Sequence, residues 1–220
     1  MLDWQPIFLT FQLATVTTVV LLLLGVPLAG WLALSRFRLK PLVEAVISLP
    51  LVLPPSVIGF YLLLAFSPAS GLGGWLLEHL NLKLVFSFEG LVVASVLYSL
   101  PFMVHPVQAG LEALPVSWRE ASYTLGHSPL KTLLRVLLPN CKPALLTGVV
   151  LSFAHTIGEF GLVLMIGGNL PGQTRVASIA IYDEVELLNY DAAHGYAALL
   201  LVISLAILVL VYRFNKRLTL

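Results

Sequence analysis

Charge is what this sequence has least of: only 10% of its 220 residues are Asp, Glu, Lys or Arg, against 59% hydrophobic. A water-soluble domain carries about a quarter charged residues, so the chain falls outside that class. Cysteine is nearly missing too. The single Cys141 rules out an internal disulfide and any metal site built on paired thiolates, and beside Lys142 it reads as a small packing residue. No Gly-x-x-x-x-Gly-Lys-Ser/Thr run occurs, so the chain has no P-loop for ATP. His-Glu-x-x-His and Gly-x-Ser-x-Gly are absent as well, which removes the zinc-protease and serine-hydrolase signatures. With a net charge of +1, no basic arm and no interleaving of aromatic and basic residues, no nucleic-acid partner is expected. Met1-Leu2-Asp3-Trp4-Gln5-Pro6 lacks a basic leader and a small-residue cleavage site, so the first apolar span is expected to stay in the mature protein.

What the chain has is repeated apolar runs of about twenty residues, the length that crosses a bilayer as helix. Five spans are read, at about Phe8 to Leu34, Leu42 to Phe66, Phe88 to Leu111, Ala144 to Ile166 and Gly195 to Tyr212. The expected fold is an all-α membrane protein in lipid, one transmembrane domain over residues 1–220. Ser67 to Ser87 reads as a polar loop with an amphipathic piece at Trp75 to Leu80, and Gly167 to His194 as a second polar loop. Arg36, Arg38, Lys40, Arg119, Lys131, Arg135, Lys142, Arg213, Lys216 and Arg217 fall on one side of these spans, and only Lys83 and Arg175 on the other. Lys and Arg accumulate in cytoplasmic loops. The N-terminus is therefore expected outside and the C-terminus in the cytoplasm.

The longest basic-side interruption, residues 112–143, is dense with punctuation. Pro115 stops the preceding span, and Ser117 with Glu120 fits a capping box at the start of a short helix. Gly126 stands where that helix needs a left-handed cap. Ser128 offers a second N-cap, with Pro129 at the first helical position. Leu130, Leu133, Leu134 and Leu137 then recur at helical spacing. The product is a two-helix loop outside the bilayer, shaped to seat in a groove on another protein.

Two spans carry the remaining chemistry. Pro50, Pro54 and Pro55 each delete a backbone donor, so the second span is expected to kink or break and to line protein or a water-filled path. Ser56 and the N–H groups after the break then offer hydrogen bonds to an anion. In the fourth span, His155 and Glu159 are spaced to share a helix face, and Ala154, Gly158 and Gly161 form a small-residue stripe. An intramembrane carboxylate must face protein or water. Glu159 is read as a helix-to-helix hydrogen bond or a gate element partnered by His155, with proton coupling as the sharper alternative. In the outer loop, Arg175 stands as a receiver for a partner protein or an arriving anion.

Glu120-Ala121-Ser122, Gly126 four residues later, and Leu138-Pro139 resemble the cytoplasmic Glu-Ala-Ala loop of ABC-importer permease subunits, with Ser122 in place of the second alanine. Leu49 to Gly59, Gly158-Glu159-Phe160-Gly161 and Gly168 to Arg175 resemble molybdate-transport permeases. The last two are also similar to sulfate permeases, whereas the Leu-Pro-Leu-Val-Leu-Pro-Pro stretch favours molybdate. The resemblance implies that the loop docks on a separate ATPase, with Glu120, Ala121, Ser122, Gly126, Leu138 and Pro139 as the coupling residues. It implies a homodimer, two copies of a cytoplasmic ABC ATPase holding ATP and magnesium, and an external molybdate-binding protein in a bacterial inner membrane. No cofactor and no catalytic residue are expected in this chain. Pro54, Pro55, Ser56, His155 and Glu159 stand as path or gate residues. A sulfate importer of the same architecture, and a secondary transporter coupled through Glu159 and His155, remain alternatives.

Overall fold

The computed structural model describes residues 3–218, of which the side chains at 210–212 and 214–218 are left aside; Lys216 and Arg217, counted above on the basic side, lie among those. Among the described residues the chain is helical, with no strand. Its helices are α1 (Gln5–Leu34), α2 (Lys40–Val52), α3 (Pro55–Phe66), α4 (Gly71–Leu80), α5 (Phe88–Glu112) and α6 (Val116–Thr124). α7 (Pro129–Asn140) follows, with a π turn over Leu133–Leu137. The rest are α8 (Lys142–Gly158), α9 (Gly161–Gly167), α10 (Ala177–Glu186) and α11 (Tyr190–Leu218).

Three helices, α1, α5 and α11, are long and apolar enough to cross a membrane unbroken, and counting bent pairs gives up to five spans. The expected second span is indeed broken, at Leu53 and Pro54, where α3 turns 112° away from α2. Pro50 does not break it. Pro27, Pro101 and Pro106 likewise lie inside continuous helices. The decisive feature is the tandem Pro54-Pro55: the residue before a proline is driven to extended geometry, and Leu53 and Pro54 have ψ near 138° and 140°.

The fourth span departs from expectation. α8 ends at Gly158, Glu159 is extended with ψ 133°, and α9 starts afresh at Gly161. The second polar loop also holds a helix that the sequence reading missed. Ala177, Ile179 and Ala180 of α10 are buried against the body, while Glu186 is exposed and Asp183 and Glu184 are half-buried. Ala177 N–H donates to Thr10 Oγ1 on α1 at 2.8 Å, which ties the start of α10 to α1.

α5 is the central post. Leu21, Val26, Ala29 and Leu32 of α1 meet Met103, Val104, Val107 and Leu111 of α5 near one end, and Leu9 and Leu13 share a second cluster with Leu91, Ala94 and Tyr98 near the other. The two helices therefore run parallel. Close approach at Met103 depends on glycine: a Cβ on Gly25 would lie 3.0 Å from Met103 Cγ, and one on Gly148 3.1 Å from its carbonyl oxygen. α2 runs antiparallel to α5 and buries only Ile47. It is joined instead by polar rungs: Lys40 Nζ to Glu112 (3.0 Å), Gln108 Nε2 to Glu44 (2.6 Å), and Ser48 Oγ with His105 Nε2 (3.0 Å).

α3 and α9 pack through a glycine at each contact. A Cβ on Gly59 would stand 2.8 Å from Met165 Cβ, and one on Gly161 3.2 Å from Pro55 Cβ, whereas nothing lies within 4 Å of Gly158. The expected Ala154–Gly158–Gly161 stripe is therefore cut by the helix break, and only Gly161 serves a close contact. Gly59→Val is expected to lower stability by about 1–3 kcal/mol through overpacking, while Gly158→Ala leaves it unchanged. Thermal unfolding of the two variants in detergent checks the pair.

Candidate functional site

The coupling loop is built as two short helices clamped to one another and to the body. α6 begins at Val116 with Pro115, not Ser117, at its N-cap, and no side chain caps it. The expected capping box is overturned because Pro115, with ψ 131°, already supplies the extended entry residue; Ser117 then lies inside the helix, where a capping geometry is closed to it. The other end follows the sequence. Gly126 has φ +75°, its N–H donates to Tyr123 O at 2.9 Å, and His127 N–H donates to Ser122 O at 3.2 Å, the paired bonds of a glycine-terminated helix. Ser128 Oγ accepts from Lys131 N–H at 3.3 Å to start α7.

Ser122 is buried and its hydroxyl lies 2.8 Å from Thr132 Oγ1, itself fully buried, and 3.2 Å from His127 Nδ1. This tie locks α6 against α7, so the hydroxyl that distinguishes Ser122 from the usual alanine has a structural use. Glu120 and Ala121 are exposed beside it, as are Gly126 and Pro139; Leu138 is half-buried. Of the α7 leucines, Leu133 and Leu137 enter the core with Leu32, Leu111 and Cys141, while Leu130 and Leu134 stay exposed. Trp118, Tyr123 and Leu125 add to the exposed apolar surface. Pro129–Asn140 turns 86° from α8, so the loop lies across the end of the bundle and presents this surface outward.

The two helix breaks meet. The start of α3 lies against the start of α9: the Cβ position on Gly161 is 3.7 Å from Ser56 N as well as 3.2 Å from Pro55 Cβ. Pro54 and Ser56 are exposed and Pro55 half-buried. Glu159 is buried, and its Oε1 accepts from Leu162 N–H at 3.0 Å, so the carboxylate caps α9. Ser178 of α10 donates to the Glu159 carbonyl at 2.6 Å. His155 belongs to a different set: its Nδ1 lies 3.0 Å from Ser99 Oγ and its ring stacks on Phe102 at 4.1 Å between centroids. The expected shared face of His155 and Glu159 is thus overturned, because the helix that would align them ends between them.

Arg175 is also committed elsewhere. Its Nε donates to Asn169 Oδ1 at 2.7 Å and lies 3.4 Å from Asp183 Oδ2, while Asn169 Nδ2 donates to both Asp183 oxygens. The role of a free anion receiver is corrected: Arg175 pins the outer loop to α10. The α2–α5 rungs were not found from the sequence. Their partners lie 57 to 72 residues apart, and the only local signal was the recurrence of polar residues at Lys40, Glu44 and Ser48 within an apolar span.

A helical bundle with three to five candidate membrane spans and a two-helix loop across one end is the architecture of an integral membrane protein. The chain belongs to the family described as binding-protein-dependent transport system inner membrane component, which it matches over residues 12–219. Members are multi-pass permease subunits, and ATP hydrolysis lies on a partner. The chain is 47% identical to the molybdenum transport system permease protein ModB of Azotobacter vinelandii, over 96% of this chain and 93% of that one. To the sulfate transport system permease protein CysT of Salmonella typhimurium it is 37% identical over 88% of this chain and 71% of that one. Among solved structures, the bacterial alginate ABC transporter in complex with a pentasaccharide-bound periplasmic protein has the same fold, with a TM-score of 0.77 at 17% identity, covering 98% of this chain and 78% of that chain.

Ser122→Ala is expected to leave buried Thr132 without its partner, a loss of about 1–3 kcal/mol, and to loosen α6 from α7. Co-purification of the ATPase with this variant should fall while membrane insertion is kept. Glu159→Gln retains a capping oxygen, so most uptake should survive; a proton-coupled carrier would lose it.

Proposed function

We propose that this chain is the permease of an ATP-driven molybdate importer, with tungstate as a second cargo of the same charge and shape. The observation that carries the cargo is the identity to a molybdenum permease along nearly the full length, 47% against 37% for the sulfate relative. The permease acts as a homodimer between two copies of a cytoplasmic ATPase, which hold ATP and magnesium, and an external protein that delivers the anion. Lys and Arg counts support an outside N-terminus and a cytoplasmic C-terminus. Glu120, Ala121, Ser122, Gly126, Leu138 and Pro139 form the ATPase seat. Closure of the ATPase pair swings the loop and opens the path outward; hydrolysis restores the inward-facing form.

The path runs past the paired helix breaks. Ser56 and the amide end of α3 supply donors to a dianion there. The negative charge of Glu159 is partly offset by the amide end of α9, where its Oε1 accepts from Leu162 N–H, and the residue serves the helix start and not as a ligand. His155, hydrogen-bonded to Ser99 and stacked on Phe102, shapes the wall.

Deleting the gene should lower cellular molybdenum at limiting molybdate and leave sulfate uptake intact, with excess molybdate restoring the metal. Lost sulfate uptake with normal molybdenum would reassign the cargo. Glu120→Lys is expected to abolish uptake with insertion unchanged; normal uptake in that variant would sink the docking assignment.

A further inference from the structure

Where the α1–α2 turn, the end of α5 and the start of α6 come together lies a pocket of about 170 Å³. Leu34, Leu111 and Leu137 contribute to its apolar wall, and Arg36 and Arg119 line the same space from two different segments. Neither guanidinium has an ion-pair partner among the described residues, where the pairs join Lys40 to Glu44 and Glu112, and Arg175 to Asp183. Glu112, the one carboxylate on the wall, is already occupied by Lys40 Nζ at 3.0 Å and Gln108 Nε2 at 3.1 Å. Two guanidinium forks against this one carboxylate, itself paired with Lys40, leave the pocket net positive. None of Pro54, Ser56, His155 or Glu159 lines it, so it is separate from the proposed path.

We propose that this pocket binds one phosphate-type oxyanion, supplied either free from the cytoplasm or as the phosphate of an anionic lipid headgroup. A guanidinium offers paired N–H donors that match two oxygens of such an anion, and two of them suit a tetrahedral group better than any single lysine. The volume is several times the ~30 Å³ share of a liquid water, which admits one tetrahedral anion. The basic end of the bundle is also the level at which lipid phosphates lie on the cytoplasmic face. A bound anion joins the α1–α2 turn, through Arg36, to the helix that carries Glu120, through Arg119, and so braces the seat of the coupling loop.

The test is thermal unfolding of the permease within the purified permease–ATPase complex, wild type against Arg36→Gln/Arg119→Gln. One arm, in neutral detergent, adds sodium phosphate or sodium molybdate against sodium chloride at matched ionic strength. The other places the complex in phosphatidylcholine vesicles with or without phosphatidylglycerol. A rise of a few degrees in wild type that is lost in the double variant supports the site. A rise in the first arm assigns a free anion, and a rise in the second alone assigns the headgroup. Equal rises in wild type and variant, or no rise in either arm, overturn it. Arg36→Gln alone, on an exposed turn, keeps the comparison available if the double variant does not fold.

Discussion

A backbone amide released inside an apolar medium has to find a partner, and the architecture of this permease follows from how that demand is met at two places. At the start of α3 the tandem prolines carry no N–H and those of Val57 and Ile58 turn back to Pro54 O, whereas the extended Glu159 and the Phe160 after it release amides at the start of α9. The chain answers the second break internally, with the Glu159 carboxylate on Leu162 N–H and Ser178 on the Glu159 carbonyl. The first break stays open on one side, at exposed Ser56. One capped helix start and one with an exposed serine thus lie in contact through Gly161 and Pro55. Under the proposed path that asymmetry would matter, since two capped starts would offer a dianion nothing and two bare ones would be costly without cargo.

The coupling loop answers a mechanical demand. A part that carries movement between subunits must not deform before it transmits, and here every joint is tied. Gly126 closes α6, Ser122 and Thr132 bind the helices together, and Leu133 and Leu137 root α7 in the core around Leu32 and Leu111. The exposed Glu120, Trp118 and Leu130 can then differ in chemistry from the buried set without weakening it.

Legibility divided along the range of the forces. The first, third and fifth spans, the Gly126 and Ser128 caps and the break at Pro54-Pro55 are written in neighbouring residues, and each stands where expected. The break at Glu159 carries no proline, only the glycines at 158 and 161, which also read as a packing stripe. α10 was hidden by Asp183, Glu184 and Glu186, a run of charge that reads as a loop, although Asp183 is held by Asn169 and Arg175. The error at Ser117 came from a capping-box spacing that Ser117 and Glu120 fit, whereas the extended backbone of Pro115 already supplied the helix entry two residues earlier. The rungs from α2 to α5 pair residues tens of positions apart, and no local pattern encodes a partner.

Those rungs have a calorimetric consequence. Heat-capacity change tracks the apolar surface wetted or hidden in a transition. α2 hides only Ile47 and holds to α5 by groups that water can replace. Its detachment into water would therefore have a small heat-capacity change, so the free-energy difference between attached and detached forms would vary nearly linearly with temperature, without the curvature of a transition that exposes a core.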